Sequence, residues 1–179
     1  MTPHHCSICG QPHDLEHLEP AFARPDAFLS IPPERRATRA NDSDEGCILV
    51  SEDGKELAYY LRTVLPILVR GEITPIRWGV WVEVDHETYM TVVAHAEDSD
   101  QGSLGPFPAA LANRLPHYPD TLGLVGSVRP TSPATRPTFR LASTVNHPFV
   151  REATNGVQAE RALEWRLWTI HPPPPMSNR

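Results

Sequence analysis

The string Trp78-Gly79-Val80-Trp81-Val82-Glu83-Val84 constrains the fold more than any other stretch of the chain. Its side chains alternate with the period of a β-strand. Trp78, Val80, Val82 and Val84 share one face; Gly79, Trp81 and Glu83 share the other. A strand with so apolar a face needs partner strands and a cover. The neighbouring sequence offers both. Residues 47–50 (Cys47-Ile48-Leu49-Val50) read as a short apolar strand, and Asp53-Gly54 as a turn. Residues 57–62 read as the returning strand and 64–69 as a third, with Pro66 placing it at an edge or a bulge. Residues 122–128 and 139–141 add two more.

The helical segments are short. Twenty prolines fall within 179 residues, which fixes many turns and keeps elements brief. Residues 30–39 predict a helix with Pro in its first turn and Glu34 near its positive end, or else an extended wrap. Asp85 caps a helix over 86–96, with Tyr89, Val92, Val93 and Ala96 on its core-facing stripe. Residues 97–108 are a polar, Gly/Pro-rich loop, and residues 111–119 run to a turn at Pro119-Asp120. Residues 129–137 are a Pro-rich connection. Asn146 or His147 starts a helical turn with Pro148 first; Asn155-Gly156 stops it, and 157–168 form the last helix. The order of elements implies an α+β fold with a mainly antiparallel sheet and a few short helices. Residues 1–170 form one domain on this reading. Within it, 1–20 are a Cys/His-rich, zinc-knuckle-like segment and 21–45 a Pro-rich wrap. Residues 171–179, with four consecutive prolines, are a disordered tail.

Charge and cysteine usage narrow the setting. No run of about 18 apolar residues exists, and no basic-then-apolar leader opens the chain, so neither a membrane span nor a signal peptide is expected. Three cysteines, an odd number, argue against a disulfide framework and for a reducing compartment, the cytoplasm by default. Net charge is −6, and residues 1–90 carry most of the acid, with 15 acidic and 8 basic side chains. Such a half repels phosphate backbones, so nucleic acid is not the expected partner.

One segment has legible chemistry. Cys6-Ser7-Ile8-Cys9-Gly10 is followed by His13 and His17. A C-x-x-C turn aims two thiolates at one point, and the Gly lets backbone N–H groups approach sulfur. Zinc wants four such N or S ligands in a tetrahedron. Cys6 and Cys9 are the first pair. Cys6, Cys9, His13 and Cys47 form one ligand set, which uses every cysteine and staples the N-terminal segment to the first strand. The compact set Cys6, Cys9, His13 and His17 is the other. A structural Zn2+ is expected, with Cys6, Cys9, His13 and Cys47 preferred. A thioredoxin-like redox pair would follow a strand and open a helix, which this pair does not. His4 and His5 are spare imidazoles at a polar end.

Several strings together resemble a known family. They are Arg77-Trp78-Gly79-Val80-Trp81-Val82, Leu115-Pro116-His117-Tyr118-Pro119-Asp120-Thr121-Leu122, Arg136-Pro137, His147-Pro148 and the opening Cys-x-x-Cys-Gly. Over roughly residues 5–165 the chain resembles the bacterial domain of unknown function 2199. The resemblance implies a small bacterial protein of this architecture and implies no activity.

Other candidate residues carry plainer readings. One of Trp78 and Trp81 is core; the other, beside Gly79, could floor a pocket. His117, Tyr118, Pro119 and Asp120, after Asn113 and Arg114, offer acid, base and donor types, but Pro-Asp is ordinary turn chemistry. Asp42, Asp44, Glu45, Glu52 and Asp53 are solvated loop acids without the spacing of a calcium loop. The expected function is a zinc-stapled protein-interaction or regulatory module, of which an immunity-type protein is one kind, with another protein as partner. The alternative is an enzyme with a site near Trp81 and the 117–120 turn.

Overall fold

The computed structural model describes residues 4–5, 9, 11–13, 15 and 18–171. Strands β1 (His4–His5) and β2 (Pro12–His13) form a small antiparallel ladder, His4 opposite His13. The main sheet follows in chain order: β3 (Ala40–Asp42), β4 (Gly46–Val50), β5 (Leu57–Ile67), β6 (Ile76–Val84), β7 (Phe107–Leu111), β8 (Val125–Arg129) and β9 (Thr138–Leu141). Five helices accompany them among the described residues: α1 (Asp26–Leu29), α2 (Pro33–Arg39), α3 (His86–Ala94), α4 (Pro148–Asn155) and α5 (Ala159–Ile170). None of these is long and apolar enough to cross a membrane.

Strand β5 turns the sheet into a barrel. One edge pairs with β6 from Tyr59 to Ile67. The other edge is divided: β4 takes it as far as Leu61, and β9 meets it in parallel at Val64, opposite Thr138. There the Val64 N–H donates to Pro137 O at 2.9 Å. Strands β5 to β9 thus close a five-stranded barrel, and β3 and β4 extend from its side. The class is α+β and most pairings are antiparallel, as the sequence implies. The single parallel seam makes the barrel mixed.

The alternation along β6 sorts two cores. Trp78, Val80, Val82 and Val84 join Leu111, Val128, Phe139 and Phe149 in the main core. Trp78 stacks on Phe22 at 5.9 Å and meets Trp165 edge-on at 5.5 Å. An indole of this kind buries about 150–250 Å², roughly 4–6 kcal/mol of favourable transfer before entropy is counted. Trp81, on the other face, packs with Phe28, Ile31, Cys47, Leu49 and Tyr60. Both tryptophans are therefore core, and the expectation of a ligand beside Gly79 gives way to a different contact. The Gly79 N–H donates to Pro20 O (2.8 Å) and the Phe22 N–H to Gly79 O (2.9 Å). The N-terminal wrap takes that strand edge, and Gly is needed because a Cβ there would lie 2.8 Å from the Cβ of Ala21.

Several element boundaries differ from expectation. Residues 57–62 and 64–69 are one strand, β5, of 11 residues. Arg62 and Val64 donate from the same edge, to Glu45 O and Pro137 O, and the two-residue period puts Pro66's nitrogen on that edge, beyond the Val64–Thr138 pair. The expected helix over 30–39 is the shorter α2, because Pro33 keeps Pro32 extended (ψ 137°) and α1 precedes it as a separate turn. Helix α3 ends at Ala94; its buried residues are Thr88 and Val92, and Val93, expected in the core, is 49% exposed. Strand β7 begins inside the expected 97–108 loop, where Pro106 and Pro108 mask it. Strand β8 starts at Val125 rather than 122, since Gly123 adopts φ 73° in a turn. The last helix is α5, shifted to 159–170. The Asp85 cap is present, accepting from the Thr88 N–H, and His147, not Asn146, caps α4 through Nδ1. The expected tail, apart from His171, lies outside the described residues.

Gly79→Ala should destabilise the fold by about 1–3 kcal/mol, the range for overpacking a tight contact. Ala21→Gly in the same chain removes the opposing Cβ and should recover part of the loss. Urea unfolding of the two single variants and the double variant checks this. Additive losses would show that the Gly79–Ala21 approach is not the cause.

Candidate functional site

The outer barrel face around Glu83 is concave where the wrap stops covering it. A cleft of about 300 Å³ opens there between α1, strands β5 to β7 and residues 114–123. Strand register builds two of its walls. Tyr60 stands opposite Glu83 across β5 and β6, and Ala110 stands opposite Glu83 across β6 and β7. Leu111 and Ala112 continue the floor; Asp26, Ala27 and Ser30 come from α1 and the residue after it; Arg114, Leu122 and Gly123 complete the rim.

The side chain of Asn113 holds these parts together. It is fully buried. The Trp81 N–H donates to Asn113 Oδ1 (2.8 Å), and Asn113 Nδ2 donates to Arg24 O (3.0 Å) and Asp26 Oδ1 (3.1 Å). The hydroxyl of Thr121, also fully buried, donates to Asn113 O (2.8 Å) and accepts from the Leu115 N–H (2.9 Å). The strand, the wrap and the 113–121 turn are thereby locked to one another.

The charges around the cleft follow from that lock. Asp26 Oδ2 accepts from the Arg114 N–H at 3.0 Å. The Arg114 guanidinium lies 3.7 Å from Asp26 and 3.2 Å from Asp120. The Leu122 N–H first, then Arg114, holds the Asp120 carboxyl below its ordinary range. Burial pushes the Tyr60 phenol up, and the negative charge of Glu83 opposite it adds to this. Glu83 has no cationic partner among the described residues.

The residues singled out from sequence fare unequally. Trp81 is fully buried, its indole N–H donating to Phe22 O at 3.2 Å, so it supports the cleft and does not line it. Asp120 borders the cleft through Arg114, and the Trp81 strand and the 117–120 turn are brought together by Asn113. His117 is exposed, with φ 68°. Tyr118 points elsewhere: its hydroxyl donates to Glu152, and Arg161 lies over its ring at 4.9 Å. Of the expected metal ligands, Cys6 and the alternative His17 lie outside the described residues. Cys9 is exposed in a turn between β1 and β2, and His13 belongs to β2. Cys47 is fully buried in β4, where burial and Asp42 push its thiol up to about 11. Among the described residues no group of three or more His, Cys, Asp or Glu could hold a metal ion. Tyr60, Glu83 and Asp26 were missed as site residues. Glu83 is the lone acid inside the apolar run 78–84, which is the signal that could have found it.

The chain matches the domain of unknown function 2199 over residues 5–157, a family described as uncharacterised and conserved in bacteria, and it belongs to that family. No curated protein and no solved structure matches it.

Asn113→Ala leaves the buried Trp81 N–H without its acceptor, which costs about 1–3 kcal/mol. Asn113→Asp can still accept from Trp81 but loses both Nδ2 donations and sets a carboxylate against Asp26, so it should be no milder. Urea titration measures both losses. A loss below about 0.5 kcal/mol, the scale of ordinary surface substitutions, would remove Asn113 from this role.

Proposed function

We propose that this member of the family is a non-catalytic module that binds another protein at the cleft beside Glu83, with residues 1–20 held by a structural zinc ion. The observation that carries the first half is how the two carboxylates around Arg114, at the rim beside Glu83, are held. Asp26 is fixed by two N–H donors and an arginine, and Asp120 by Leu122 and Arg114. Asp120 is displaced away from the near-neutral range that a general acid or base needs. Fixed charge and a small concavity suit recognition. About 300 Å³ is the lower end of the usual ligand-pocket range, enough for a side chain or a small molecule. Asp26, Glu83 and Asp120 would also repel a phosphate backbone, which favours a protein partner over nucleic acid. A photo-crosslinking residue placed at Ala27, on the cleft wall, should give one defined protein adduct in native cells. The same residue at Ile73, which is fully exposed far along the chain, should not. Identical adducts from both positions, or none from Ala27, would remove the proposal.

The zinc rests on the motif. Cys6 and Cys9 fall between β1 and β2, and His13 follows on β2. Cys47 or His17 completes the set. The burial of Cys47 among Phe28, Ile31 and Trp81 counts toward the compact set with His17. Four protein ligands leave no open position, so the ion would be structural, and its binding energy would contribute to folding. Elemental analysis of untagged, reduced protein should find about one zinc per chain. Cys9→Ser should lose metal and stability together. Cys47→Ser and His17→Ala then assign the fourth ligand by which of them releases zinc.

A further inference from the structure

We infer, resting on the protein-binding proposal above, that the partner enters the cleft with an arginine side chain, its guanidinium meeting Glu83 and the Tyr60 hydroxyl and its stem lying on Ala110 and Ala112. The charge balance around the cleft points there. Arg114 is committed to Asp26 and Asp120, and Asp26 is committed to Arg114 and the Asn113 amide. Glu83 is different. Its carboxylate stands opposite Tyr60 on the neighbouring strand, both line the cleft, and no cation among the described residues pairs with it. Its side chain is exposed, and its place on the sheet is fixed by strand register on both sides. It stands on a barrel strand at the wall of a cavity, beside a phenol that is 5% exposed.

The rest of the lining fits a cation on an aliphatic stem. Ala27, Ala110 and Ala112 present single methyl groups, which leaves the cavity open and its surface apolar. Arginine lays its methylenes on such a surface and carries its charge at the tip. A planar guanidinium has five N–H donors, enough to serve a carboxylate and a phenol oxygen at once. An anionic group would meet Glu83 and Asp26 on both sides. An uncharged polar group would offer Glu83 no opposite charge.

The test uses the full chain and a small probe. N-acetyl-arginine N′-methylamide is titrated into isotope-labelled protein at low salt, and amide shifts are followed by NMR. Saturable shifts are expected at Ala110, Leu111, Ala112 and Gly123, with a Kd on the order of 1 mM, the scale of about 4 kcal/mol. The citrulline analogue, equal in shape but uncharged, should bind at least about tenfold more weakly, as expected for loss of a charge-assisted hydrogen bond. Glu83→Gln should weaken the arginine probe by a similar factor while keeping the dispersed spectrum of a folded protein. Glu56→Gln, an exposed acid outside the cleft, should not. Equal binding of the two probes, insensitivity to Glu83→Gln, or no saturable shift at those amides overturns the inference. A crosslinked partner at Ala27 with no arginine binding would overturn this inference alone. Arginine binding without any crosslinked partner would overturn the protein-binding proposal alone.

Discussion

The amide of Asn113 answers a demand that the backbone makes. Strand β6 runs with β7 only at Val82 and Glu83, so the Trp81 N–H, one residue earlier, would face a buried gap. Buried backbone donors are almost never left unpaired. Here a side-chain oxygen substitutes for the missing strand, while the Ala112 N–H donates to Trp81 O at 2.8 Å. The other end of the same amide holds Arg24 and Asp26. The cleft walls therefore hang from the group that satisfies the strand. Its shape is a by-product of terminating a ladder, and its charge is set by which residues the amide keeps in place.

A second constraint acts through β5. Its length lets one edge serve two partners in succession, β4 and then β9. The barrel closes without β4 having to leave the sheet, and the outer face near β4 becomes a second packing surface. That surface receives the wrap, with Phe28 and Ile31 set against Trp81 and Leu49. Opposite faces of one strand thus anchor two cores. Arg24 sits over both Phe28 and Trp81, 5.9 Å from each ring, while paired to Asp42 at 2.9 Å, so the seam between wrap and sheet is sealed by a cation.

What was legible in the sequence was local. The alternation of residues 78–84 identified β6 and sorted its faces correctly. Asp85 and His147 marked two helix starts, because a cap needs only a side-chain acceptor and the next few N–H groups. What failed was set by distant partners. Residues 57–62 and 64–69 read as two strands because the change of partner along one edge of β5, from β4 to β9, is decided by where β9 lies. Strand β7 was hidden by Pro106, just before it, and by Pro108, at a position where only β8 pairs with it. Val93 was misplaced because the contact with β5 covers a narrower stripe than the helix offers. The cleft required knowing that Tyr60 and Glu83 share a register, and no local pattern reports a register. The Cys/His segment is the reverse case, with chemistry plain in the sequence and Cys6 and His17 outside the described residues.

The close approach of Pro20, Ala21 and Phe22 to Gly79 has a consequence for any shortened form of the protein. These three residues occupy the part of the β6 edge that β7 does not reach, and Phe22 also fills space against Trp78 and Trp168. A fragment beginning near residue 30 would keep every strand of the barrel yet bare an apolar stretch of strand with the Gly79 N–H and O open. Such an edge pairs with whatever chain is nearest, most readily a second copy of itself. The N-terminal wrap is thus the barrel's guard against self-association, and it guards a strand that the segment does not extend.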